Sequence, residues 1–126
     1  METLALVASL DSTVRLLDVA TGQLLNRYRG HTAADYVVPA CFSYDDASVW
    51  SGSEDGSVIG WDLVEASVLQ HASGAHKKFV CALDYHPSRH AMVSASADGT
   101  LGVWLPAGQA ESLRAQALAQ AMGGPS

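Results

Sequence analysis

Short runs in which apolar and polar residues alternate make up most of the chain, and polar turns separate them. Three stretches each hold two such runs around one turn: ALVASLDSTVRLLD, SVWSGSEDGSVIGWD and AMVSASADGTLGVW. Alternation with a period of two is typical of strands with one buried face. Asp-Gly in the second and third turns favours a β-hairpin, because Gly accepts positive φ. The pattern predicts three hairpins, with a less favourable Asp-Ser turn in the first.

The three hairpins repeat one sequence at a nearly fixed interval. Asp11, Asp55 and Asp98 occupy equivalent positions, at intervals of 44 and 43 residues. Further strands are predicted upstream of the second and third hairpins, at 37–46 and 79–88, and downstream of the first two, in GQLLNRYRG and SVLQHASG. Four short antiparallel strands in about 43 residues are typical of one β-propeller blade. We therefore predict an all-β fold built from antiparallel blades.

The chain holds about two and a half of these four-stranded blades. The predicted units cover about 1–29, 30–73 and 74–105, and the first begins at its second strand. The last lacks an outer strand, and residues 106–126 form an Ala-rich tail that we expect to be helical or disordered. Because propellers close with about four to eight blades, we expect the missing blades in the same longer chain or in a partner chain.

Several of the repeated residues carry a family resemblance. RGHT followed by FSYDDASVWSGSEDGSVIGWDL resembles the WD-repeat (WD40) family, with Gly-His opening a blade, Asp in the inner turn and Trp-Asp closing the third strand. The third unit departs from this pattern, with Gly-Ala-His in place of Gly-His and Trp-Leu in place of Trp-Asp. In the first unit Leu-Asp stands where Trp-Asp would be. The resemblance implies an incomplete WD-repeat propeller.

The resemblance also implies a structural network in which each His meets the Asp and is completed by hydroxyl and indole groups. Its expected members are His31, Ser51, Asp55 and Trp61 in the second unit and His76, Ser94, Asp98 and Trp104 in the third. Asp11, Gly56 and Gly99 are expected in the turns.

A catalytic interpretation of the same residues is less favoured than a structural one. Ser, His and Asp suggest a catalytic triad, but a set that occurs in two units is expected of architecture, whereas a catalytic site occurs once. The glycines of the second turn do not fit a phosphate loop, which needs a following Lys and a helix. We therefore expect no enzyme activity.

Composition and charge narrow the possible ligands. Net charge is −6, and this acidic balance argues against direct nucleic-acid binding through the electrostatics of the whole surface. No apolar run is long enough for a membrane helix, and the N-terminus does not have the pattern of a signal peptide. The five histidines are scattered and the two cysteines have no metal-type spacing, so we predict no metal, no cofactor and free buried thiols.

Protein interaction is the function that the resemblance implies. Within this family the sequence is similar to members found in signalling scaffolds and spliceosomes, so spliceosomal or kinase-cascade proteins are the expected partners, in the nucleus and cytoplasm. The alternative is another WD-repeat assembly subunit, such as a ubiquitin-ligase substrate receptor. The candidate partner-facing residues are basic: Arg27, Arg29, Lys77 and Lys78. Tyr28 lies between the two arginines, which leaves a small stacking patch open.

Overall fold

Three antiparallel sheets follow one another along the chain in the computed structural model, which describes residues 4–105. The strands are β1 (Leu4–Ser9), β2 (Thr13–Asp18), β3 (Leu24–Arg29), β4 (Ala40–Phe42), β5 (Ser48–Gly52), β6 (Val58–Asp62), β7 (Val68–Ala72), β8 (Val80–Tyr85), β9 (Met92–Ser96) and β10 (Leu101–Trp104). The described residues contain strands and turns but no helix. The predicted all-β fold of antiparallel sheets is therefore confirmed. The expectation of a helical or disordered tail concerns 106–126, outside the described residues.

Strand order within each sheet follows the chain. Sheet A consists of β1, β2 and β3, sheet B of β4 to β7, and sheet C of β8, β9 and β10. Sheet B is thus a complete four-stranded blade. Among the described strands, sheet A has no counterpart of β4 and sheet C has no counterpart of β7. The short strand β4 lies between β1 on one side and β8 on the other, so sheet B separates the two incomplete sheets.

The pairing registers show which residues of different sheets are equivalent. Tyr28 on β3 pairs with Val14, and Ala72 on β7 pairs with Val58. Both outer strands carry a bulge at the same step of the ladder, between Leu16 and Leu17 in one sheet and between Gly60 and Trp61 in the other. The outer strands of sheets A and B therefore have the same pairing register and the same bulge, and their side chains can be compared position by position.

Two apolar clusters form the core, one on each side of sheet B. The larger cluster joins sheets A and B, and its buried members are Val14, Leu16, Tyr28, Val49, Ile59 and Trp61. The smaller cluster joins sheets B and C, and its buried members are Val58, Val80 and Met92. We call these contacts the first interface and the second interface. They differ in size although they use equivalent strands.

A bulge in β8 changes the prediction for the cysteines. Val80 pairs with Ser96 and Ala82 with Ala95, so Cys81 is the extra residue. Its thiol is free and exposed, whereas we expected a buried one. Cys41 is also free and is partly buried, and burial raises the pKa of its thiol to about 11. The bulge turns the Cys81 side chain away from the core.

Candidate functional site

A chain of hydrogen bonds links five side chains in sheet C. His76 lies just before β8, with Nδ1 2.7 Å from Thr100 Oγ1 and Nε2 2.8 Å from Ser94 Oγ. The Trp104 indole N–H donates to the same Ser94 oxygen over 2.9 Å. At the other end, Thr100 donates to the Asp98 carboxylate over 2.5 Å. The structure brings together the four residues predicted for the third unit, but Asp98 meets His76 only through Thr100.

The proton positions in this chain follow from the carboxylate, which can only accept. Thr100 donates to Asp98, so His76 Nδ1–H donates to Thr100 and Ser94 donates to His76 Nε2. Burial lowers the pKa of His76, and the charge of Asp98 partly opposes that effect. Desolvation raises the pKa of Asp98, but hydrogen bonds from Thr100 and from the backbone N–H of Lys77 outweigh it and hold the pKa well below its ordinary value. A neutral histidine and an ionised aspartate therefore fit the geometry.

The same geometry differs from that of a catalytic triad. In a triad the carboxylate contacts the histidine directly, and the serine hydroxyl faces the substrate. Here Asp98 contacts Thr100, and Ser94 is only 1% exposed. The Ser94 oxygen is also occupied by the indole N–H of Trp104. The arrangement satisfies buried polar atoms and presents no nucleophile to solvent.

The network predicted for the second unit does not form. The Ser51 hydroxyl donates to the Gly52 carbonyl over 2.7 Å, and the Trp61 indole donates to the Arg29 carbonyl over 2.9 Å. Asp55 is exposed and accepts from the backbone and hydroxyl of Ser57. The physical reason lies in sheet A: the Arg29 carbonyl takes the indole hydrogen, so Ser51 is not needed as its acceptor.

His31 is left without a hydrogen-bond partner as a result. Among the described residues, neither of its ring nitrogens is bonded, although the side chain is buried. Its ring meets the Trp61 ring edge-on, with 5.6 Å between the centroids. Burial lowers the pKa of His31, against the charges of Asp11 and Asp55. The second unit therefore holds its histidine by aromatic packing rather than by hydrogen bonds.

The three inner turns share a left-handed residue. Gly56 and Gly99 each have φ of 87°, and Ser12 has φ of 59° at the equivalent position. A left-handed conformation costs a non-glycine residue about 1–2 kcal/mol. Ser12 offsets part of this cost because its hydroxyl accepts the backbone N–H of Ala33 over 2.9 Å, while its own N–H donates to the Ala33 carbonyl. The turn of sheet A is thereby fastened to the corner of sheet B.

The remaining predicted turn residue, Asp11, is held within its own hairpin. Its carboxylate pairs with Arg15 at 2.7 Å and accepts from Ser9 at 2.6 Å. The hydrogen bond from Arg15 is the main reason that the pKa of Asp11 lies well below its ordinary value.

A further side chain organises the corner that leads into sheet B. The Glu54 carboxylate accepts the backbone N–H groups of Ala34, Asp35 and Tyr36, at 2.5, 2.6 and 2.9 Å. The bonds from Tyr36 and Asp35 are the largest cause of the lowered pKa of Glu54. The Tyr36 ring then stacks on Phe79 with 4.4 Å between centroids. The corners before sheets B and C are thus in contact.

The predicted basic residues lie on two separate elements. Arg27 and Arg29 are exposed on β3, and Lys77 and Lys78 are exposed in the corner before β8. The stacking patch around Tyr28 does not exist, because Tyr28 is fully buried in the first interface. Strand alternation turns its ring to the face opposite the two arginines.

Sequence reasoning missed the residues that join the sheets. Tyr28 donates its hydroxyl to the Leu63 carbonyl over 2.6 Å, and Asn26 donates to the same carbonyl over 2.9 Å. Thr100 was also missed, although a hydroxyl residue stands at its position in every unit. That repetition was a usable signal. No comparable signal marks Tyr28, since only its own unit carries an aromatic residue there.

The described part of the chain shows neither a metal cluster nor a membrane-spanning helix. Within residues 4–105, no group of three His, Cys, Asp or Glu side chains is arranged to hold a metal ion. In the same range no helix has the length and apolar character needed to cross a bilayer.

Comparisons with known proteins agree with the fold. The family described as "WD domain, G-beta repeat" matches residues 22–62 and 67–104. WD repeat domain-containing protein 83 of Homo sapiens is 44% identical over 99 residues, which are 79% of this chain and 31% of that protein. The Danio rerio protein of the same name is 44% identical over 100 residues, again 79% of this chain and 31% of the relative. A homolog from Dictyostelium discoideum is 33% identical over 94 residues, or 75% of this chain and 29% of the relative.

These matches extend over most of the chain and only part of each relative. The matched part of the chain spans less than a third of the length of each of these three relatives. Two consecutive repeats are matched, and they coincide with sheets B and C together with the outer strand of sheet A. The chain belongs to the WD-repeat family of β-propeller proteins.

Proposed function

We propose that this chain is part of a non-catalytic scaffold that binds other proteins, as an accessory factor in pre-mRNA splicing, as a kinase-cascade scaffold, or as both. The observation that carries the proposal is the 44% identity to WD repeat domain-containing protein 83 over 79% of the chain. The stretches LDSTVRLLDVATGQLLNRYRGH and SEDGSVIGWDLVEA also resemble the mitogen-activated protein kinase organizer. Spliceosomal or kinase-cascade proteins are then the partners, and the nucleus and cytoplasm the location.

The absence of catalysis is supported by how the polar residues are used. Ser94 and His76 are buried and bonded to each other, to Trp104 and to Thr100. A hydrolase would need at least one of them to reach a substrate. Exchange of Ser51 or Ser94 for Ala should change stability and leave no hydrolytic activity to lose. Turnover of an ester substrate that disappears in either variant would contradict this part of the proposal.

The exposed basic residues supply a way to test where partners bind. Rim charges at an interface set the rate of association and its dependence on salt. We therefore expect Lys77→Glu with Lys78→Glu, or Arg27→Glu with Arg29→Glu, to weaken capture of an acidic partner. Both pairs are exposed, so neither double variant should unfold the sheets.

The partners themselves are best identified by affinity purification of the intact protein followed by mass spectrometry. Recovery of spliceosomal proteins supports the splicing role, and recovery of kinases supports the signalling role. Enrichment of cullin adaptors in place of both would instead indicate a ubiquitin-ligase receptor. The two double variants are run beside the unmodified protein, so that a partner lost from only one of them is mapped to β3 or to the corner before β8.

A further inference from the structure

An open cleft of about 220 Å³ lies in the second interface, between sheets B and C. Its walls include Trp50 and Leu69 from sheet B and Tyr85, Met92 and Trp104 from sheet C. Pockets for drug-sized ligands are larger, about 300–1,000 Å³. The cleft has room for one side chain rather than for a large ligand.

The sequence explains why this cleft exists. In the first interface Tyr28 fills the space beside Trp61, with 5.8 Å between the ring centroids. Ala72 occupies the position equivalent to Tyr28 in sheet B, and Gly60 the position equivalent to Leu16. The second interface therefore lacks the phenol ring that the first interface contains, whereas the Trp50 ring takes up the space beside Gly60.

The walls of the cleft offer aromatic surface with its polar atoms already bonded. The Trp50 ring lies over Gly60, where an added Cβ would overlap it, and Trp50 also lines the cleft. The indole N–H of Trp50 donates to Ser48 over 2.9 Å, and that of Trp104 donates to Ser94. The Tyr85 hydroxyl is 2.7 Å from His90 Nδ1. The open surface is mostly apolar and includes these rings, which favours an apolar aromatic group over a polar ligand.

Charge points to the same class of occupant. Apart from His90, none of the residues that line the cleft is an acid or a base that ionises near neutral pH. Asp45, a carboxylate beside the cleft residue His90, already accepts from Ser43 and from the backbone N–H of Ala47. It also faces His90 at 3.5 Å. A neutral occupant therefore meets no unpaired charge on the walls of the cleft, and a cationic one would find no carboxylate there to pair with.

We propose that the cleft of the second interface receives a tyrosine or phenylalanine side chain of a partner protein, which takes the place that Tyr28 fills in the first interface. The inference rests on the proposed function, because it requires that this propeller binds proteins. It adds the kind of residue that the partner presents and the surface that receives it, between Leu69 and Trp104.

The probe for this site is p-cresol, which has the side-chain chemistry of tyrosine. The intact protein is labelled with 5-fluorotryptophan, and the fluorine signals of Trp50, Trp61 and Trp104 are assigned with single Trp→Phe variants. Addition of p-cresol should shift the Trp50 and Trp104 signals in a saturable way. The Trp61 signal should not move, because that ring is fully buried in the first interface.

Matched variants locate the binding. Leu69→Arg places a charge on an exposed wall of the cleft, and Leu25→Arg makes the same change at the equivalent position of sheet A. Leu69→Arg should weaken p-cresol binding by about tenfold or more, and Leu25→Arg should leave it unchanged. Ala72→Tyr should abolish the shift because the new ring occupies the cleft. Ala20→Tyr, in an exposed turn of sheet A, is its control.

Several results would overturn the proposal. One is p-cresol binding that survives in both Leu69→Arg and Ala72→Tyr. A second is a stronger response to tetramethylammonium than to p-cresol. Another is no response at all, as would be seen if residues 106–126 filled the cleft. Partner capture is scored separately, so failure of the p-cresol titration with normal capture rejects only the cleft. Loss of captured spliceosomal or kinase partners in Leu69→Arg, but not in Leu25→Arg, supports it.

Discussion

The two interfaces on either side of sheet B use equivalent strands but are packed with side chains of different size. The first is filled by large side chains, with Tyr28, Leu16 and Trp61 in direct contact. The second places Ala72 and Gly60 at two of those positions and keeps an open cleft. The same strand pairing therefore permits both a closed interface and an open interface between neighbouring sheets. The choice is made by a few side chains and not by the backbone.

The hydrogen bonding of the two buried corner histidines, His31 and His76, shows the opposite trend to the packing of the interfaces. In sheet C, beside the open interface, His76 has hydrogen bonds on both ring nitrogens. In sheet B, beside the closed interface, His31 has none and packs against Trp61. A repeat can therefore hold its corner histidine by bonding or by packing. Four comparisons of matched variants test these differences between the two interfaces.

Tyr28→Ala should convert the first interface into a copy of the second. We expect the free energy of unfolding to fall by about 3–5 kcal/mol, because a fully buried ring is removed and a cavity remains. Urea denaturation of the intact protein measures this. Tyr28→Phe is the control that removes only the hydroxyl bond to Leu63, and it should cost about 1 kcal/mol. Equal losses in the two variants would show that ring packing does not dominate the first interface.

Gly56→Ala and Gly99→Ala compare one turn with its neighbour in the next sheet. Both glycines have the same φ, so each substitution costs about 1–2 kcal/mol from the backbone conformation. Gly56→Ala should cost a further amount of about 1–3 kcal/mol, because the new Cβ would collide with the His76 carbonyl. A Cβ on Gly99 has no described atom within 4 Å. Thermal unfolding of the two variants side by side would refute this contact if their losses were the same.

Ser94→Ala and Ser51→Ala test whether the two hydroxyls have different roles. Ser94→Ala leaves the Trp104 indole and one nitrogen of His76 without partners, which should cost about 1–3 kcal/mol. Ser51→Ala removes a single bond to a backbone carbonyl and should cost no more than about 1 kcal/mol. The free energy of unfolding in urea gives both values. A larger loss for Ser51→Ala would mean that the second unit depends on its hydroxyl after all.

Acidification should lower the free energy of unfolding through the two buried corner histidines, His31 and His76. Burial lowers the pKa values of His31 and His76 below 6.5 in the folded protein, so the unfolded state binds more protons in this range. The free energy of unfolding should therefore be greatest above pH 6.5 and fall as the pH decreases, by up to about 1.4 kcal/mol per pH unit for each histidine. Unfolding between pH 7.5 and 5 measures the slope.

Replacing each histidine in turn by glutamine separates the contributions of His31 and His76 to this pH dependence. His31→Gln removes the titrating group from the first interface, and the slope should decrease by the contribution of His31. His76→Gln does the same in sheet C. A slope that is unchanged in both variants would assign the pH dependence to groups other than these two histidines.

The sequence was sufficient for the architecture because the hairpin signals are local. Asp-Gly turns and period-two alternation predict β5 with β6 and β9 with β10 without any knowledge of neighbouring sheets. Ser12 shows that the first turn keeps the same backbone with a less suitable residue. Within residues 4–105, the predicted four-stranded unit is seen in full in sheet B alone.

The details of the site could not be predicted because they depend on contacts between sheets. The Trp61 indole is bonded by the Arg29 carbonyl, 32 residues away, and nothing in the local sequence marks that carbonyl as its acceptor. The burial of Tyr28 likewise depends on where sheet B packs. Asp98 was expected to meet His76 directly, but the intervening hydroxyl of Thr100 makes both contacts.

The bonds from Tyr28 and Asn26 to the Leu63 carbonyl also have a consequence for synthesis on the ribosome. They join residues 35 and 37 positions apart, so sheet A is translated well before its acceptor exists. At about 5–20 residues per second the delay is about 2–7 s. Throughout that interval the apolar face of sheet A that packs on sheet B is without that partner sheet. Slow translation between residues 30 and 63 would prolong this exposed state, and chaperones that bind nascent apolar segments would act there.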